Sequence, residues 1–214
     1  MALIEDILEF IGVFVSSSIA YVAYMGLKQT RSPALLRLAT AFTFLGFGFL
    51  VEALAGLDGL ISTIPALATT AIAGLMIAGP VMETTGYFFL AFSHAVDVVF
   101  SKRLGAALIV FPVISVSLIQ ATDTLSILSF YFILYGVVET VYAYVRNRKP
   151  DTLLTATALT FLGAGTFIPV LSLLYPEVYL LSLVQIILKE MGLLILFIPV
   201  LNYALGGTRT NGPI

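Results

Sequence analysis

The chain has no cysteine and no tryptophan, one histidine, and charged side chains at only 10% of its 214 positions. Each shortage removes a class of chemistry. Without cysteine there are no disulfides, thiolate nucleophiles, Cys-ligated zinc sites or iron–sulfur clusters. With His94 as the single imidazole, bis-histidine haem ligation within the chain is excluded, and a multi-histidine metal centre lacks its ligands. Neither a Cys-His nor a His-pair set exists, and no Ser-His arrangement stands out. No enzymatic activity, resident metal or nucleic-acid partner is therefore expected.

A charged fraction of 10% is far below the roughly 25% of a soluble domain. Apolar residues make up 60% instead. They recur in runs of about twenty, each long enough to cross the hydrocarbon core as a helix. The chain is therefore expected to be an all-α polytopic membrane protein, multi-pass in the cell (plasma) membrane, with the lipid bilayer as its immediate partner. The opening MALIEDILEFIGVF carries acids and lacks the basic region and cleavage site of a signal peptide. It reads as the front of a retained first spanning helix.

Seven transmembrane helices are predicted, at about 7–28, 34–57, 67–100, 105–121, 125–145, 152–174 and 178–205. Breaks are expected at QTRSP, LDGLISTIP, SKRLG, ATDT, RNRKPD and YPE, where turn formers or prolines interrupt the apolar runs. Lys28, Arg31, Arg37, Lys102, Arg103, Arg146, Arg148, Lys149 and Arg209 all flank alternate loops or the tail. The other loops and the N-terminus carry Glu5, Asp6, Glu9, Asp58, Asp123 and Glu177. The positive-inside rule then puts the N-terminus outside and the C-terminus in the cytoplasm. Lys189 is the one basic residue off that pattern.

RSPALLRLATAFTFLGFGF (31–49) matches RKPDTLLTATALTFLGAGT (148–166) at 11 of 19 positions, 117 residues apart. Apolar bias does not align an Arg, a Pro and two Gly in register. The expected organisation is a 3+1+3 parallel internal repeat. Residues 1–103 form the first three-helix unit, 104–122 a connector helix, 123–207 the second unit and 208–214 a short tail. Parallel repeats of this kind occur in one transporter class, and the layout resembles that of the sugar-efflux SWEET transporters. By the third helix of each unit the offset drops to 107, which puts Glu83 in PVMETTGYFFL on Glu190 in IILKEMGLLIL.

The polar residues inside the apolar runs carry what chemistry there is. Ser182, Gln185, Lys189 and Gly192 share one face of the seventh segment, with Glu190 at its border. Gly79, Glu83, Gly86, Ser93 and Asp97 form a stripe on the third. A charge at the bilayer centre costs about 2.5–3.5 kcal/mol even on the lenient insertion scale, so these groups should face protein or a wet cavity. Lys189 is expected to pair with one carboxylate while the other takes a proton. Glu83, Gln185, Lys189 and Glu190 are the candidate substrate, ion or proton site. Gly46, Gly48, Gly86, Gly163, Gly165 and Gly192 read as packing or hinge positions, because no strand–turn–helix context suits phosphate binding. Glu52 is expected to reach the headgroups, Glu139 to snorkel toward basic residues, and His94 and Asp97 to lie near the cytoplasmic end.

The expectation that follows is a small transporter or channel for a small solute or ion. Its midplane polar site is of the kind proton coupling uses. An alternative is a non-catalytic subunit, scaffold or sensor that works with a partner membrane subunit or a second copy. A further one comes from resemblance. Seven helices, an external N-terminus and Lys189 midway through the last helix resemble the retinal-binding rhodopsins. That resemblance implies retinal on Lys189 with Glu83 as counterion, although this chain has no tryptophan and reads VMETTGY on its third helix. The transporter reading needs no cofactor.

Overall fold

The computed structural model describes residues 2–56, 65–95, 118–172 and 180–206, and all of them are helical apart from two short links. Six helices follow in order: α1 (Ala2–Thr30), α2 (Pro33–Gly56), α3 (Pro65–Ala95), α4 (Leu118–Asn147), α5 (Pro150–Ser172) and α6 (Leu180–Gly206). All six are long and apolar enough to cross a membrane. Among the described residues the count is therefore six, not the expected seven. The expected fourth helix, 105–121, lies outside the described residues up to 117, and its last four positions belong to α4.

The break expected at ATDT does not occur, because α4 runs through Ala121–Thr124. Thr and Asp lower helix propensity by only a few tenths of a kcal/mol each, and no Gly or Pro accompanies them. The Thr122 carbonyl stays inside the helix and also accepts the Ser126 hydroxyl at 3.0 Å. By contrast, QTRSP and RNRKPD do break the chain, and in the same way. Arg31 and Arg148 adopt left-handed φ of 53° and 49°. Their N–H groups donate back to Leu27 O at 2.8 Å and Tyr144 O at 2.7 Å, which closes α1 and α4 with the single bond of an αL cap. The next helix then starts on Pro33 or Pro150, where a missing N–H has no consequence. An arginine at each cap also meets the negative end of a helix dipole.

The helices close a ring. Each packs on its neighbours in chain order, and α6 packs back on α1. The core faces inward from every helix, with Ile19, Phe42, Phe49, Tyr87, Ile133, Leu159, Leu162, Leu193 and Leu196 all sealed. In lipid such packing gains little from hydrophobicity and depends on close approach. Glycines supply it. A Cβ on Gly86 would lie 2.6 Å from Leu45 Cγ of α2, and one on Gly192 would lie 2.7 Å from Leu162 Cγ of α5. One end of the ring carries the basic α1–α2 and α4–α5 links. There Ser32 meets the Tyr203 hydroxyl at 3.4 Å, and Asn202 donates to Asp151 at 3.1 Å. At the other end Ser182 donates to Glu5 at 2.8 Å.

Gly192→Ala should lower the unfolding temperature in detergent, because its Cβ would also sit 2.9 Å from the Ala158 carbonyl, which cannot move aside. Gly74→Ala meets nothing within 4 Å and should leave that temperature unchanged or raise it slightly. Thermal melts followed by size-exclusion chromatography check both. Equal effects of the two substitutions would show that close approach at Gly192 does not hold α5 to α6.

Candidate polar site in the ring interior

Glu83 on α3 and Lys189 on α6 come from opposite members of the six-helix ring and meet inside it. Lys189 Nζ donates to Glu83 Oε2 at 2.7 Å and to Oε1 at 3.0 Å. Both side chains are more than nine-tenths buried. Two glycines make the approach possible. Gly48 of α2 lies against Glu83, where a Cβ would be 2.8 Å from its Cγ, and Gly165 of α5 lies against Lys189, 2.9 Å from its Cγ. The helix behind each charged stem thus has no side chain at the point of contact. The Phe49 ring stands 5.7 Å from the ammonium and completes its cover.

A cavity of about 50 Å³ adjoins the pair, with room for a few water molecules. Glu52, Thr84, Ser129, Thr166 and Gln185 line it together with Glu83 and Lys189. Thr84 and Ser129 share a hydrogen bond of 2.8 Å that ties α3 to α4. Pro80 and Pro169 also line the cavity. Pro169 has no N–H to offer the Gly165 carbonyl one turn back, so a backbone acceptor is released next to Lys189. The space is too small for the polyene that the rhodopsin resemblance implies, since ligand pockets for molecules of that size run to about 300 Å³ or more.

Of the four expected site residues, Glu83, Gln185 and Lys189 come together around this cavity. Glu190 is equally buried but points elsewhere, toward α1. It fills the space above Gly12, which a side chain there would contest, and neither of its carboxylate oxygens has a hydrogen-bond partner among the described residues. The hydroxyls of Ser16 on α1 and Tyr87 on α3 are also buried without partners among the described residues. Glu52 does not reach outward as expected. It lies against Gly79, one turn from Glu83, and forms part of the cavity wall. The signal for it was present: Glu52 is four residues from Gly48, so the two share a helix face.

The six glycines all sit at helix contacts. Gly46 faces Ser16 and Ser17 of α1, and Gly163 faces Ile133 of α4, while Gly48, Gly86, Gly165 and Gly192 face α3, α2, α6 and α5. None has positive φ. The side chains of Ser93 and His94, and all of Asp97, lie outside the described residues. Glu139 lines a second, larger cavity at the basic end of the ring.

Removing one member of a buried ion pair leaves the other charge unmatched, at a cost of about 3–5 kcal/mol, whereas removing both is far milder. Lys189→Met and Glu83→Gln should each lower stability sharply, and the double variant should recover much of the loss. Chemical denaturation of the four proteins in detergent micelles measures this coupling. Additive single effects would mean that the two groups do not depend on each other. No family model, no curated protein and no solved structure matches this chain.

Proposed function

We propose that the protein is a small transporter or channel of the plasma membrane, moving a small solute or ion past the polar site between α3 and α6 with proton coupling. One observation carries the reading. Among the described residues Glu52, Glu83 and Glu190, with Glu9 of α1 beside them, share the ring interior with a single ammonium, Lys189. Among the described residues only Glu83 is ion-paired with it. Glu52 and Glu190 call for positive charge from outside, a proton or a solute, and an exchangeable positive charge is what coupled transport needs. A structural lock between two helices would require one acid and one base, without the additional carboxyl groups.

The same reading takes the chain as two copies of a three-helix unit, α1–α3 and α4–α6, with the basic links facing the cytoplasm. Several paired details support the two copies. Arg31 and Arg148 cap their helices alike and are 117 residues apart, as are Gly48 and Gly165. Gly86 packs on Ala41 and Leu45, and Gly192 packs on Ala158 and Leu162, which are their counterparts at that same offset. These contacts set the third helices 106 positions apart, the separation of Glu83 and Lys189 themselves. The reading then pairs Glu83 with Lys189, a shift of one from the alignment of Glu83 with Glu190 by residue identity.

Proteoliposomes loaded with a pH-sensitive dye, under an imposed potassium diffusion potential, test the proposal. The wild-type protein should pass protons, alone or with an added solute, and Glu190→Gln and Glu83→Gln should reduce the flux about tenfold or more. Undiminished flux in both variants would put the route elsewhere. Absence of flux from every protein, wild type included, would leave the subunit or scaffold role as the better reading.

A further inference from the structure

The basic end of the ring opens into a cavity of about 900 Å³ that the polar site does not use. Its walls come from α1, α2, α4, α5 and α6. The floor is apolar, with Leu38, Leu196, Pro199 and Val200, and two tyrosines, Tyr142 and Tyr203, line it where they are still partly exposed. Three charged residues line it. Arg146 is exposed in the last turn of α4, where the helix dipole favours it. Asp151 sits in the first turn of α5, with the opposite dipole preference satisfied, and accepts a hydrogen bond from Asn202.

Glu139 has no comparable explanation. It lies two helical turns inside Arg146, about 10 Å along the axis, within the membrane-crossing part of α4. It is half-buried, and no described Lys or Arg lies within ion-pair distance of it. Its polar neighbour is Tyr135, one turn earlier. A carboxylate with no ion-pair partner among the described residues, on the wall of a largely apolar, aromatic-edged cavity, favours a positively charged occupant, and the volume suits a compact organic molecule. We propose that this cavity binds a lipophilic monovalent organic cation, with Glu139 as its counter-charge and Tyr142 and Tyr203 offering ring faces. Hydrophobic amines and quaternary ammonium or phosphonium ions belong to this class. The proposal concerns binding alone and stands whether or not the α3–α6 site conducts.

Two probes of one shape and opposite charge test it. Tetraphenylphosphonium and tetraphenylborate are titrated into the purified full-length protein in an uncharged maltoside detergent, with protein-free micelles as the blank. The cation should bind saturably and the anion should not. Glu139→Gln should weaken the cation about tenfold or more, the factor expected for loss of one favourable charge contact. Ala143→Trp, which fills the cavity without touching the charge, should abolish binding. Equal binding of the two ions, or preference for the borate, would overturn the proposal, and the latter would assign the cavity to an anionic amphiphile. Unchanged affinity in Glu139→Gln would overturn it as well. Should that variant fail to fold, the wild-type contrast between the two ions still decides.

Discussion

The buried contact between Glu83 and Lys189 is the constraint around which the rest of the ring is arranged. Neither group survives alone in hydrocarbon, so the helices that carry them must be held across the interior at a separation that lets 2.7 Å form. That requirement explains why the flanking helices are cut back to glycine at Gly48 and Gly165, where a side chain would displace the charged stems. It also explains the hydroxyl-rich wall of the adjoining cavity. Thr84, Ser129 and Thr166 offer dipoles near the pair without adding charge, and the proline at 169 releases one more backbone acceptor there.

From this pair the interior divides into three levels. The small cavity with Glu52 and Gln185 lies on one side of the charged layer. On the other side Leu193, fully buried, follows one turn along α6, and Leu196 begins the floor of the larger cavity at the basic end. Lys189 and Leu196 are about 10 Å apart along the helix axis. The barrier between the polar layer and the large cavity is therefore thin and made of side chains.

Much of this was legible in the sequence where a residue has a single structural consequence. Pro33 and Pro150 mark helix starts because each follows basic, turn-forming residues, whereas Pro80, Pro169 and Pro199 stand in apolar runs and are carried inside helices. Lys189 within an apolar run marked the interior because no lipid-facing position tolerates it. Legibility failed where residues are permissive or where packing decides. ATDT looked like a break, yet threonine and aspartate bend to their surroundings, and α4 carries them through. Glu52 is expected at the headgroups yet lines the small cavity, because its helix face, shared with Gly48, turns it inward. Glu190 was grouped with Lys189 by adjacency, although neighbours on a helix point about a quarter-turn apart, and here that turn takes Glu190 to α1.

If the chain is two copies of one unit, as proposed, the one-residue shift in the alignment has a physical reason. Residue identity favours setting Glu83 on Glu190, like on like. Equivalent positions in two related units, however, meet at the axis between them, and two like charges at hydrogen-bond distance there would repel strongly. In that arrangement two acids would have to share a proton, whereas an acid facing a base need not, so a comparison by identity need not hold at the contact between the units. The substitution also makes the units inequivalent. The unit with Lys189 carries Glu139, Arg146 and Asp151 around the large cavity, and their counterparts 117 residues earlier are Val22, Gln29 and Ala34. The ring thus holds an asymmetric interior, with a small cavity lined by Glu52 and Glu83 beside the pair and a wide, amphipathic one toward the basic end.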